Sequence, residues 1–154
     1  MDFHNRLYNL KKQSFFNNLV IERGIEKESL RVNKDGFISN QNHPKSLGSS
    51  FTNPSITTDF AEALIEMVTP TFDTVEGLHS FLENLDFFVK ENLNDEILWN
   101  ASMPCELGDE KQIQIAEYGV SNTGRLKNIY RRGLRERYGS AMQCVSGIHY
   151  NFSL

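Results

Sequence analysis

Gly24-Ile25-Glu26-Lys27-Glu28-Ser29-Leu30-Arg31-Val32 is the stretch on which the fold turns. Read as a strand, it places Glu26 and Glu28 on one face with Leu30 and Val32, because successive side chains point to opposite sides. The two glutamate Cα atoms then stand roughly 6.5–7 Å apart, twice the rise per residue. Carboxylates at that spacing repel unless solvent, a proton or a cation intervenes. A hard divalent ion such as Mg²⁺, which takes oxygen ligands and bridges to substrate phosphates, answers that repulsion. A solvated strand face answers it equally, since charged runs usually meet water.

Outward from this strand, Asn33-Lys34-Asp35-Gly36 has the turn chemistry to reverse the chain into Phe37-Ile38 as an antiparallel hairpin. Phe3, Leu7 and Leu10 recur at helical spacing and predict a short amphipathic helix. Residues 40–55 are polar and loop-like. Thr57 to Pro70 admits two readings. Asp59 and Glu62 could cap a helix whose stripe is Phe60, Leu64 and Met67. Alternatively Ala63 to Thr69 is a strand with Ile65 and Met67 on one side and Leu64, Glu66 and Val68 on the other. The β-branched ending before Pro70 favours the strand.

The clearest helix runs from Asp73 to about Leu93. Asp73 and Glu76 suggest a capping box, and Val75, Leu78, Leu82, Leu85 and Val89 form a core-facing stripe widened by Phe81 and Phe88. A second helix is predicted over Thr123–Tyr138, capped by Ser121 or Asn122. The segment Cys144–Leu154 alternates, with Ile148, Tyr150, Phe152 and Leu154 on one face and Gly147, His149, Asn151 and Ser153 on the other. The expected class is α+β, a mainly antiparallel sheet flanked by helices. No internal linker divides it, so residues 1–154 are expected to be one N-terminal portion of a larger catalytic domain, since the chain stops on an apolar strand residue.

The 154 residues, 39% hydrophobic and 23% charged, suit a soluble globular domain. A net charge of −4 argues against nucleic acid or an anionic membrane as partner. Met1-Asp2-Phe3-His4 opens no secretory signal, and no apolar run reaches membrane-spanning length. Cys105 and Cys144 form no CxxC or metal-ligand spacing and read as two reduced thiols of a cytoplasmic protein.

If the polar faces of the three strand-like segments converge, Glu26, Glu28, Glu66, His149 and Asn151 make a site of carboxylates and an imidazole. That donor set suits Mg²⁺ and a phosphorylated nucleotide better than zinc. Glu66 among apolar neighbours is costly to bury, unless it is a strand-edge residue reaching water. A lone strand histidine such as His149 is more often a hydrogen-bonded structural residue than a catalyst. Lys127, Arg131 and Arg135 form a basic stripe at four-residue spacing, either a solvated face or a recogniser of anionic substrate groups. Tyr118 to Gly124 offers backbone N–H groups to an anion or simply caps the helix. There is no Walker A loop and no Rossmann glycine fingerprint.

Together these segments resemble the proteobacterial-type glutamate–cysteine ligase family, also called γ-glutamylcysteine synthetase. The resemblance is carried by RGIEKESLRV (Arg23–Val32), ITTDFAEALIEMVTP (Ile56–Pro70), SMPC (Ser102–Cys105), YGVSNTGRLKNIYRRGLRERYG (Tyr118–Gly139) and MQCVSGIHYNFSL (Met142–Leu154), in family order. Lys27 departs from the pattern, where arginine is expected; charge is kept but a bidentate contact is lost.

The resemblance implies part of a glutamine synthetase-like carboxylate–amine ligase fold and an ATP-dependent reaction. ATP phosphorylates the L-glutamate γ-carboxylate, and the L-cysteine amine displaces phosphate to give γ-glutamylcysteine, the first step towards glutathione. It implies Mg²⁺ or Mn²⁺, with Glu26, Glu28, Glu66 and Asp59 as metal ligands. Tyr130, Arg131, Leu134, Gln143 and His149 resemble residues around the cysteine end of the site, with Arg131 and His149 catalytic. The remaining C-terminal part of the enzyme is an expected requirement. A non-catalytic remnant or binding module retaining part of this site is the alternative. An acid-pair hydrolase is a third, recommended by nothing beyond the two carboxylates.

Overall fold

Glu22 to Val32 forms a single strand, β1, around which the rest of the chain is arranged in the computed structural model, which describes residues 2–12 and 19–154. One edge of β1 pairs with β3 (Leu64–Val68), which in turn pairs with β2 (Ile56–Thr58). The other edge carries two strands end to end: β5 (Ile148–Ser153) beside Glu22–Lys27, and β4 (Ile97–Trp99) beside Leu30–Val32. All four pairings are antiparallel. The class is α+β, as the alternating and helical periods predicted.

The strand reading of Ala63–Thr69 is the one the chain adopts, as β3. Glu62 therefore caps nothing; its buried carboxylate accepts the backbone N–H groups of His43 and Glu117, each at 2.7 Å, and ties two loops together. The predicted reversal after Val32 also forms. Asn33 Oδ1 accepts the amides of Asp35 and Phe37, and Gly36, at φ +87°, takes the left-handed position the turn requires.

Helix α1 (Phe3–Lys12) buries none of its residues. Helix α2 (Val75–Glu91) lies on the face of the sheet that bears Ile65 and Met67 and closes a core of Leu47, Ile56, Val89, Leu93 and Leu98. Its cap is Thr74, whose hydroxyl accepts the Gly77 N–H at 3.2 Å, and not the Asp73–Glu76 pair. The helix starts one residue later than a box on Asp73 requires, so Glu76 lies at the second helical position. Val75 and Phe88 are exposed. At 3.6 residues per turn they fall about 60° and 80° to either side of the Leu78–Val89 line, outside the buried stripe.

Helix α3 (Asn122–Tyr138) is capped by Ser121, which accepts the Gly124 N–H at 3.1 Å. On the opposite face of the sheet Leu30, Val32, Phe60, Leu64, Cys105 and Cys144 are buried, and α3 packs Leu134 against them. That core covers only the Leu30 end. The same face continues past Glu28 and Glu66 to Glu26 and His149, which, among the described residues, are left half-buried and exposed.

Candidate active site

Strand register settles where the carboxylates stand. Glu28 is directly opposite Glu66 across β1 and β3, and Glu26 is directly opposite His149 across β1 and β5. Opposed side chains of an antiparallel pair share a face, with Cβ atoms about 4.5–5.5 Å apart. All four groups therefore project from the uncovered end of one sheet face. His149 Nδ1 lies 3.1 Å from Glu26 Oε2. Glu28 Oε2 accepts the Gly147 N–H at 2.7 Å, while the Glu28 amide donates to the Gly147 carbonyl at 3.0 Å. Thr57 stands opposite Glu66 on β2, but its hydroxyl turns away to the Ser50 carbonyl at 2.6 Å.

Asp59 follows β2, and α3 carries Arg131 to it. Arg131 Nη2 lies 3.4 Å from Asp59 Oδ1, its Nε donates to the Asp59 carbonyl, and its Nη1 donates to the Lys127 carbonyl at 3.2 Å. Of the basic stripe, Lys127 and Arg131 are thus drawn inward over Tyr118, whose ring centroid they approach to 4.9 and 4.8 Å. A purely solvated face does not describe them.

Like charges dominate this cluster. Burial pushes the Glu66 carboxyl up to about 6, and the charges of Asp59, Glu28 and Glu26 add to the effect, with Arg131 opposing it. Burial also raises Glu28, against the pull of the Gly147 N–H. The hydrogen bond that His149 donates to Glu26 raises the imidazole, assisted by the charges of Glu28 and Glu66.

A carboxyl raised in the folded state contributes stability that is fully present below its ordinary value of 4.5 and lost as pH rises through about 6. The full shift is worth about 2 kcal/mol, and solvent screening at this half-buried position reduces it to about 1 kcal/mol. Glu66→Gln is accordingly expected to stabilise the metal-free protein near pH 7.5, by roughly 2–4 °C in Tm. The advantage should shrink to nothing near pH 4.5. Melting curves of both proteins in chelator across that range test this; a difference that ignores pH would separate Glu66 from the other acids.

A sequence profile for glutamate-cysteine ligase matches residues 5–154. The chain belongs to the glutamate–cysteine ligase family. It is 46% identical to a glutamate–cysteine ligase from Francisella tularensis, solved by crystallography at 2.0 Å in complex with AMP. The TM-score is 0.85, covering 88% of this chain and 27% of that one. It is also 34% identical to a bifunctional glutathione synthetase from Pasteurella multocida, with a TM-score of 0.83 over 96% of this chain and 19% of that one. The chain therefore spans about a quarter or less of the length of these solved relatives.

The donor set of Glu26, Glu28, Glu66 and Asp59 has the chemistry of a hard-cation site: carboxylate oxygens, three on strands and one in the bend after β2, with Glu28 and Glu66 raised by burial and by neighbouring acids. Among the described residues no three His, Cys, Asp or Glu side chains converge closely enough to hold an ion unaided. Mg²⁺ is ordinarily held by one or two carboxylates with waters and substrate phosphates, so a closed cage is not what it requires.

The residues read as the cysteine end are less gathered. Tyr130 is exposed on α3, Leu134 is given over to the core, and Gln143 lies half-buried in the turn Ala141–Cys144 before β5. Two contributors escaped the sequence. The Gly147 amide was legible only as a small residue on the His149 face of β5, and Tyr118 only as the first residue of a capping segment. A separate cavity of about 580 Å³ between His43, Glu62, Gln114, Glu117 and Arg132 includes none of the expected site residues. No helix among the described residues is long and apolar enough to cross a membrane.

Proposed function

We propose that this chain contributes the cation-binding face and the acceptor-side arginine of a ligase that joins the L-glutamate γ-carboxylate to the L-cysteine amine at the expense of ATP. The observation that carries the reading is the direct opposition of Glu28 and Glu66, with Glu26 and Asp59 adding charge to the same region and Arg131 facing it. Four acids gathered where a sheet face is left uncovered favour a cation and an anionic co-substrate over a structural role.

In this reading Glu26, Glu28, Glu66 and Asp59 hold Mg²⁺ or Mn²⁺, which when bound screens the triphosphate and draws charge from the transferring γ-phosphoryl group. The glutamate γ-carboxylate oxygen attacks that phosphorus, ADP leaves, and γ-glutamyl phosphate forms. The cysteine amine then attacks the acyl carbon, phosphate leaves with the C–O electron pair, and the amine gives up a proton. Arg131, held to Asp59, presents its guanidinium to the negative charge that develops at the phosphoryl group. His149, drawn toward its protonated form by Glu26, stands at the rim to exchange a proton with the amine. Tyr130 and Gln143 flank the acceptor, and Leu134 supports them from the core side.

Residues 1–154 are, on this reading, one portion of a larger catalytic domain in a cytoplasmic enzyme, and the remainder is required for turnover. The buried, unpaired thiols of Cys105 and Cys144 agree with a reducing compartment. ADP release by the full-length protein that carries this chain, supplied with Mg-ATP and glutamate and measured with and without cysteine, tests the proposal. Release that needs both amino acids supports it. A folded protein that binds Mg²⁺ and glutamate without releasing ADP is a binding module instead, and release indifferent to both amino acids overturns the ligase reading.

A further inference from the structure

We infer that Tyr118 is a positioning residue that holds Asp59 and Arg131 in register and thereby shapes the cation-binding side of the site; the inference rests on the ligase reading above. Tyr118 is 4% exposed. Its hydroxyl donates to the Thr58 carbonyl at 2.6 Å, lies 3.0 Å from the Asp59 carbonyl, and accepts from Thr58 Oγ1 at 3.3 Å. The Asp59 carbonyl accepts from Arg131 Nε, so Tyr118 and Arg131 grip the two peptide groups that flank the Asp59 Cα. The Arg131 guanidinium lies over the Tyr118 ring, 4.8 Å from its centroid. One buried side chain thus fixes the backbone of a carboxylate with its oxygen and the head of an arginine with its face.

Tyr118 is itself held. A Cβ at Gly124 would meet the Tyr118 carbonyl oxygen at 2.3 Å, so the first turn of α3 is seated on Tyr118 only because residue 124 is glycine. Gly119, at φ +79°, makes the bend between them. The same helix that rests on Tyr118 carries Arg131 back over its ring two turns later. A buried tyrosine serving only as core would make neither contact, and phenylalanine would replace it without effect on the site.

That difference is the test, made in the full-length protein with Tyr118→Phe and Tyr118→Leu. Mn²⁺ binding without nucleotide is read from the free-ion electron paramagnetic resonance signal, alongside kcat and the KM for cysteine. Tyr118→Phe keeps the ring but frees the Asp59 peptide. It should weaken Mn²⁺ binding by about 5–10-fold, the scale of one lost hydrogen bond, with the KM for cysteine within about twofold. Tyr118→Leu should raise that KM as well, because Arg131 loses its support. Should the leucine variant fail to fold, the phenylalanine variant decides alone. Mn²⁺ binding unchanged in Tyr118→Phe overturns the inference while the ligase reading stands. A wild-type protein that neither binds Mn²⁺ nor releases ADP overturns both.

Discussion

Glu66→Gln in a ligase carrying this chain lowers kcat by about 10²–10³-fold at saturating Mg²⁺ and ATP, equivalent to about 2.7–4 kcal/mol of transition-state stabilisation. Glutamine matches the carboxylate in shape and can still occupy the face opposite Glu28. What it removes is the negative charge nearest the centre of the acid cluster. The loss should appear in kcat and in the Mg²⁺ concentration needed for half-maximal rate, with the KM for cysteine little changed. Near-normal turnover at saturating Mg²⁺ would take Glu66 out of the metal site. Because the same substitution is expected to raise the Tm of the metal-free protein, activity and stability move in opposite directions at one residue. A loss of turnover caused by misfolding cannot produce that pair of results.

Arg31→Met destabilises the fold by about 3–5 kcal/mol, the usual consequence of breaking a buried ion pair from one side. Arg31 is fully buried on β1. Its Nη1 pairs with Glu96 Oε2 at 2.6 Å, and its Nη2 donates to the carbonyls of Gln41 and Glu62 at 2.6 and 3.0 Å. Methionine fills much of the volume but takes from those two carbonyls the Arg31 donor and leaves the Glu96 carboxylate, among the described residues, with only the Ser39 hydroxyl. Calorimetry should show a fall in Tm on the order of 10 °C. The double variant Arg31→Met/Glu96→Gln should recover part of it, since no charge is then stranded. A single variant melting with wild type would mean that the pair is energetically neutral here.

The elements with a long period were legible. β1 and β5 alternate, and α2 and α3 carry stripes at helical spacing, so each was readable as an element, although the α2 cap is Thr74 and not the Asp73–Glu76 pair. Parity alone places Glu26 and Glu28 on one face of β1, whereas Glu66 and His149 join them through the pairing of β1 with β3 and β5. The three-residue strands β2 and β4 are too short to show a period, and they exist because β3 and β1 offer them open edges. Nothing local marks Arg31 as buried; its partners lie 10, 31 and 65 residues away. Tyr118 is hidden in the same way, since the peptide it holds is 59 to 60 positions earlier in the chain. Parity along one strand can be read from its own residues, whereas contacts closed by tertiary packing cannot.

The position of β1 has a dynamic consequence. Glu26 and Glu28 sit on it, Glu66 on the strand along one edge and His149 on the strand along the other. No segment among them can swing out as a flap without first breaking the ladder that joins all three. Side-chain rotation is then the motion by which the acid cluster opens or closes, on a nanosecond scale, while its backbone opens only with the sheet. An ion bound there should slow amide hydrogen exchange in β1, β3 and β5 together, with the Glu28 N–H, held by the Gly147 carbonyl, among the last to exchange.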